Sequence, residues 1–301
     1  MKLQEILDSN YPVLVDTSIS ETKGQKSIAK EIHKTRHYSD INPGMLTRKF
    51  SDIDLLATIL QHPSSFTIPE ITAELKRLEE IICDKIKFCG KKDYSNVRRS
   101  NKRNKRIRRR EAETSDTSEQ LLKEFQRRTF QLTRLSKQSE IQYEESLRAP
   151  LLGIVELIEN EIGLKENVGL LHRGGYSTEN QEDLHTDEKL ISTLYYLSMF
   201  QNKKPVLLTQ DSDFVRLLAV VSRLVSSNDL LPLNTKFRDS LYKNPIKLYY
   251  KQGQDYEIGL SSDEIAFDPE FLIFGTSELR NQEIKSEIKR YLQNLKNISR
   301  N

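Results

Sequence analysis

The chain has 301 residues, 36% of them hydrophobic and 30% charged, with no Trp, 9 Pro and 11 Gly. That length fits one large domain or two small ones, and the composition supports a core while excluding collagen-like and linker-like chains. The net charge of +3 is unevenly placed: residues 85–110 hold thirteen Lys/Arg and one acid, a local +12, which leaves −9 for the rest. An acidic body with one dense basic segment can bind a polyanion through the segment and cations through the body. No run approaches the roughly 18 apolar residues that span a bilayer. The first residues lack an apolar stretch behind a basic start, so a cytoplasmic protein with no membrane partner is expected. Cys83 and Cys89 are the only cysteines and read as reduced thiols.

Taken in chain order, residues 11–15 (YPVLV) form the first element. This short apolar run without alternation suits a strand buried on both faces of a parallel sheet. It closes at Asp16, Thr17 and Ser18. A short helix over residues 52–60 and a break at 63–65 follow, then a second short strand at 66–68. Pro69 opens a helix whose apolar positions are Ile71, Leu75, Leu78, Ile81 and Ile82. Glu74 lies on that apolar stripe, where a carboxylate is out of place unless compensated. Residues 91–110 have almost no apolar members and no periodicity, which predicts a disordered or extended arm.

Helical pattern returns near residue 118 and runs to about 147, with Pro150 as its stop. Residues 151–164 form another amphipathic helix, and His172 to Gly175 mark a loop. A helix opening near Asp187 has Leu190, Ile191, Leu194, Tyr195 and Leu197 as its apolar positions, which puts Asp187 on the buried face. Tyr195 and Tyr196 are expected at a surface-to-core boundary. Residues 205–209 (PVLLT) are a strongly apolar strand running into Gln210-Asp211-Ser212-Asp213, and a helix follows over 214–225. Residues 246–250 and 256–260 read as a hairpin around Gly253, and residues 278–295 as a basic surface helix. The alternation of continuous apolar strands with helices predicts an α/β fold with a central parallel sheet flanked by helices.

Two strands thus run into acidic turns, and two helices each place an acid on an apolar face. In an open parallel sheet, sites form outside the carboxyl ends of the strands. Convergent carboxylates repel one another, and a hard divalent cation, Mg²⁺ or Mn²⁺, relieves this with oxygen ligands alone. Phosphodiester hydrolysis is the natural chemistry of such a site. Singly, each acid has an ordinary reading. Asp16 and Asp211 suit capping positions, Asp187 a first helical turn, and Glu74 the edge of a broad apolar face. The two acids on apolar faces make the set unusual. The five histidines show no metal spacing, although His185 is close to Asp187.

The motifs V-D-T-S after the first strand, Glu74-Leu75 in a helix, D-x-x-L-I from Asp187, and L-T-x-D-x-D-F resemble the PIN-domain nucleases in order and strand context. The resemblance covers roughly residues 8–83 and 151–225. It implies a PIN-like fold and a divalent-metal-dependent endoribonuclease. Asp16, Glu74, Asp187 and Asp211 would be the catalytic and metal-binding acids, with Asp213 a further metal ligand. Ser18 and Thr209 would support the site. RNA binding is expected at Arg98, Arg99, Lys102, Arg103, Lys105, Arg106, Arg108, Arg109 and Arg110, with Tyr94 available to stack on a base. A localisation signal or ribosome tether competes for that basic run.

The implied organisation is a core at 1–83 and 151–225, a basic arm with helical insertion at 84–150, and a small extension of hairpin plus helix at 226–301. A homodimer or a regulatory protein partner fits the family. The alternative function is a catalytically inactive PIN-like module that binds RNA or a partner.

Overall fold

A computed structural model describes residues 2–21, 50–90, 102–161, 185–211, 213–226, 235–252 and 255–263, with a few positions between 286 and 298. Arg98, Arg99, Tyr94, Ser212, the loop at 172–175 and most of the helix expected at 278–295 lie outside these residues.

The chain is α/β, with a mostly parallel central sheet flanked by helices. Strand β1 is Val13–Val15, three apolar residues with essentially no exposed surface. It pairs in parallel with β2 (Ser65–Phe66) on one side and β3 (Val206–Thr209) on the other. Strand β4 (Lys247–Gln252) extends the sheet in parallel beyond β3, and β5 (Asp255–Ser261) closes the edge antiparallel to β4. The spatial order is β2-β1-β3-β4-β5. The hairpin read as part of a small extension therefore continues the central sheet. Because β1 to β4 are parallel, their carboxyl ends share one edge, and Asp16, Thr209 and Lys251 emerge there.

A short helix α1 (Leu3–Leu7) precedes β1, and α2 (Ile53–Leu60) buries Ile53, Leu56, Ile59 and Leu60. Helix α3 (Pro69–Gly90) packs lengthwise on α4 (Lys102–Gln138). Helix α5 (Glu145–Glu161) packs on α6 (Thr186–Met199), and α7 (Asp213–Ser226) and α8 (Thr235–Lys243) complete the shell. Helix α6 is buried almost all round from Leu190 to Met199, as a helix enclosed by neighbours must be. Tyr195 and Tyr196 are both buried, not at a boundary, because α7 and α8 cover that side. The Tyr195 hydroxyl lies 2.5 Å from Ser222 Oγ, which satisfies the polar tip of a core ring.

Four local expectations change. The strand expected at 66–68 is shorter, because Thr67 leaves β2 to pair with the chain at Ser139–Ile141: its N–H donates to the Ser139 carbonyl (3.1 Å) and its carbonyl accepts from the Ile141 N–H (2.9 Å). That pairing also ends α4 at Gln138, earlier than expected. Pro150 does not end a helix but sits in the second turn of α5, where its missing donor removes a single bond near the helix start. Residues 102–110, expected as part of an extended arm, form the first turns of α4. Arg and Lys are good helix formers, and the far half of α4 is anchored by Leu122, Phe125 and Leu132 in the core. No described helix is long and apolar enough to cross a membrane.

Candidate functional site

The site is built at the carboxyl ends of β1 and β3. Asp16 follows β1 and precedes a 3₁₀ turn, Thr17–Ser20. Its side chain is only 5% exposed, so both oxygens need partners. Thr209 Oγ1 donates to Asp16 Oδ2 at 2.8 Å, and Ser18 Oγ donates to the same oxygen. The two hydroxyls are 3.2 Å apart. Each also accepts a backbone N–H, from Gln210 on Ser18 Oγ and from Asp211 on Thr209 Oγ1, both at 2.9 Å. Two hydroxyls thus stitch the β1 turn to the β3 turn and hold Asp16 in one orientation. Gln210 Nε2 adds bonds to the Ile19 and Glu21 carbonyls at 3.2 and 2.8 Å.

Glu74, in the second turn of α3, faces the same crevice. Thr186 Oγ1, at the start of α6, donates to Glu74 Oε1 at 2.6 Å. Thr17 Oγ1 bridges the acids at longer range, 3.4 Å from Glu74 Oε2 and 3.5 Å from Asp16 Oδ1. Asp187 follows Thr186 and keeps some exposed surface.

Electrostatics ties the four acids together. Burial raises the Asp16 carboxyl above its ordinary range, hydrogen bonds from Ser18 and Thr209 pull it back, and Asp211 pushes it up again. Glu74 is raised from 4.5 to about 7, first by burial and then by Asp16, against hydrogen bonds from Thr186 and Thr17 and the Arg77 charge. Asp187 is raised well above its ordinary value by burial, and then by Asp16, Glu74, Asp211 and Glu188. Like charges gathered from four segments oppose their own ionisation.

The structure therefore brings Asp16, Glu74, Asp187 and Asp211 to one crevice, with Ser18 and Thr209 against Asp16. Among the described residues, however, no three acids are grouped tightly enough to form a ready-made metal cage. The oxygens of Asp16 and Glu74 face hydroxyls instead. Asp213 opens α7, and its side chain lies outside the described residues, as do the side chains of residues 102–110. All-oxygen donors with raised carboxyls fit a hard divalent cation better than a soft one.

Sequence reasoning missed four contributors. Thr17 and Thr186 position Glu74, and the Thr next to Asp16 and the Thr next to Asp187 were the available signal. Glu188 is 4% exposed beside Asp187, with the His185 ring 3.2 Å from it. His185 itself is in the left-handed region at φ 49°, where a non-glycine residue stores strain next to Asp187. Lys251, at the carboxyl end of β4, is 5% exposed and donates to the Ile19 carbonyl at 3.2 Å and to the Asp52 carboxylate. It fastens the turn after Asp16 to the far strand.

No family model, curated protein or solved structure matches the chain.

Proposed function

We propose that this protein is a PIN-like, divalent-metal-dependent nuclease that hydrolyses phosphodiester bonds, with RNA as the substrate. One observation carries this reading: carboxylates from the end of β1, α3, α6 and the turn after β3 lie near enough to feel one another's charge, and three of them are raised by burial and that repulsion. Such a set is unfavourable until a cation joins it. Asp16, Glu74, Asp187 and Asp211 would hold Mg²⁺ or Mn²⁺, with Asp213 a further ligand on the resemblance in sequence. Bound there, the ion would supply a water of lowered pKa and charge stabilisation at the leaving oxygen.

The chain's own residues do the rest. Ser18 and Thr209 fix the lone pairs of Asp16, and Thr186 and Thr17 fix those of Glu74. Lys102, Arg103, Lys105, Arg106, Arg108, Arg109 and Arg110, in the sequence of the first turns of α4, would supply the positive charge that a phosphate backbone needs. Cleavage of a mixed RNA pool with Mn²⁺ tests the reading. Asp16→Asn and Asp211→Asn should lose cleavage, and equal cutting by the variants would sink it.

A second reading is a module that binds RNA without cutting. It is favoured by the absence, among the described residues, of three acids already grouped as a cage. Calorimetry separates the two, since tight Mn²⁺ binding by the intact chain belongs only to the first.

A further inference from the structure

Away from the acids, one charged side chain is more deeply buried than any other among the described residues. Arg148, in the first turn of α5, is 2% exposed. Its guanidinium lies 3.6 Å from Glu70 on α3 and 3.9 Å from Glu145, and stacks 3.8 Å over the Tyr143 ring. Its Nη2 donates to the Lys189 carbonyl and its Nε to Ser192 Oγ, both at 3.4 Å on α6. Lys189 Nζ completes the knot, 3.2 Å from Glu70 Oε1.

The placement of this knot matters more than its strength. Glu70 is one helical turn before Glu74 on α3, and Lys189 is two residues after Asp187 on α6. The two helices thus meet through like-charged acids at their starts. The Thr186 to Glu74 hydrogen bond is a neutral tie between them, and repulsion works against it. A planar fork that reaches both helices at once opposes that separation, which a point charge cannot do equally well. A buried ion pair adds little net stability over an apolar substitute, so stability alone is a poor account of this arginine.

We propose that Arg148 is a positioning residue: through Glu70 on α3 and through Lys189 and Ser192 on α6, it sets the separation of Glu74 and Asp187. This rests on the reading of those acids as a divalent-ion site.

The test is Mn²⁺ binding to the full chain, followed by the free-ion magnetic resonance signal, beside urea unfolding at the same temperature. Arg148→Met should unfold cooperatively, since Lys189 still pairs Glu70, yet bind Mn²⁺ about tenfold more weakly, the low end for residues that orient ligands. Arg148→Lys should recover only part of that loss. If Arg148→Met does not fold, Glu70→Gln removes the α3 end of the knot, from Arg148 and Lys189 alike, and should weaken Mn²⁺ binding at least as much. A folded Arg148→Met or Glu70→Gln with wild-type Mn²⁺ affinity overturns the inference. Wild type failing to bind Mn²⁺ instead overturns the metal-site reading, and the inference falls with it.

Discussion

Replacing Glu74 with Gln should make the metal-free protein more stable, not less, above neutral pH. A carboxyl whose pKa is higher in the folded state binds its proton more tightly there. It therefore costs nothing well below its unfolded value, and its penalty grows as pH rises through that value and levels off above the folded one. For Glu74 that window runs from 4.5 to about 7. At about 1.4 kcal/mol per pH unit, the penalty at pH 8 is about 3 kcal/mol. The Gln amide keeps one acceptor for Thr186 but loses the longer bond from Thr17, a loss of about 1 kcal/mol. The net gain at pH 8 is then about 2 kcal/mol, and it disappears near pH 5. Urea unfolding of both proteins in EDTA at pH 5 and pH 8 measures this directly. Adding Mn²⁺ should stabilise wild type at pH 8 and leave the Gln variant unmoved. A variant that is less stable by the same amount at both pH values would refute the electrostatic account, because only a lost contact behaves that way.

Three further outcomes follow from the geometry. Ser18→Ala with Thr209→Val removes both hydroxyls on Asp16 Oδ2, so its carboxyl should titrate higher still, and Mn²⁺ binding should weaken most at mildly acidic pH. Changing the seven basic residues over 102–110 to Gln should flatten the salt dependence of RNA retention in filter binding; an unchanged slope would remove α4 from the interface. Gly153→Ala would drive a new Cβ to 2.5 Å from the Tyr291 ring, so it should destabilise by about 1–3 kcal/mol. Tyr291→Ala in the same chain should rescue it, as measured by thermal unfolding.

Much of this was legible because it was written in contiguous residues. VLV and VLLT announce buried strands by lacking alternation, and Gly253 separates two β-rich runs that do pair. The acids stood out by position, since Glu74 and Asp187 interrupt apolar stripes. Other features depend on distant partners. The early end of α4 is set by Thr67, more than seventy residues earlier in the chain. The basic stretch has no apolar periodicity of its own, and its helix continues from the half that Leu122, Phe125 and Leu132 anchor in the core. Arg148 is ordinary in sequence, and becomes conspicuous only beside Glu70, Lys189 and Ser192, none of them its neighbour along the chain.

The pairing of β1 with β3 has a temporal side. Asp16 and its Thr209 partner are 193 residues apart. At translation rates of about 5–20 residues per second, Asp16 emerges roughly 10–40 s before the strand that completes its setting. Until β4 follows, β3 would also present an unpaired edge. A growing chain therefore carries its first acid exposed, unoriented and without its companions. On the proposed reading, the enzyme is harmless to the message that encodes it at least until β3 and the turn that carries Asp211 have been made.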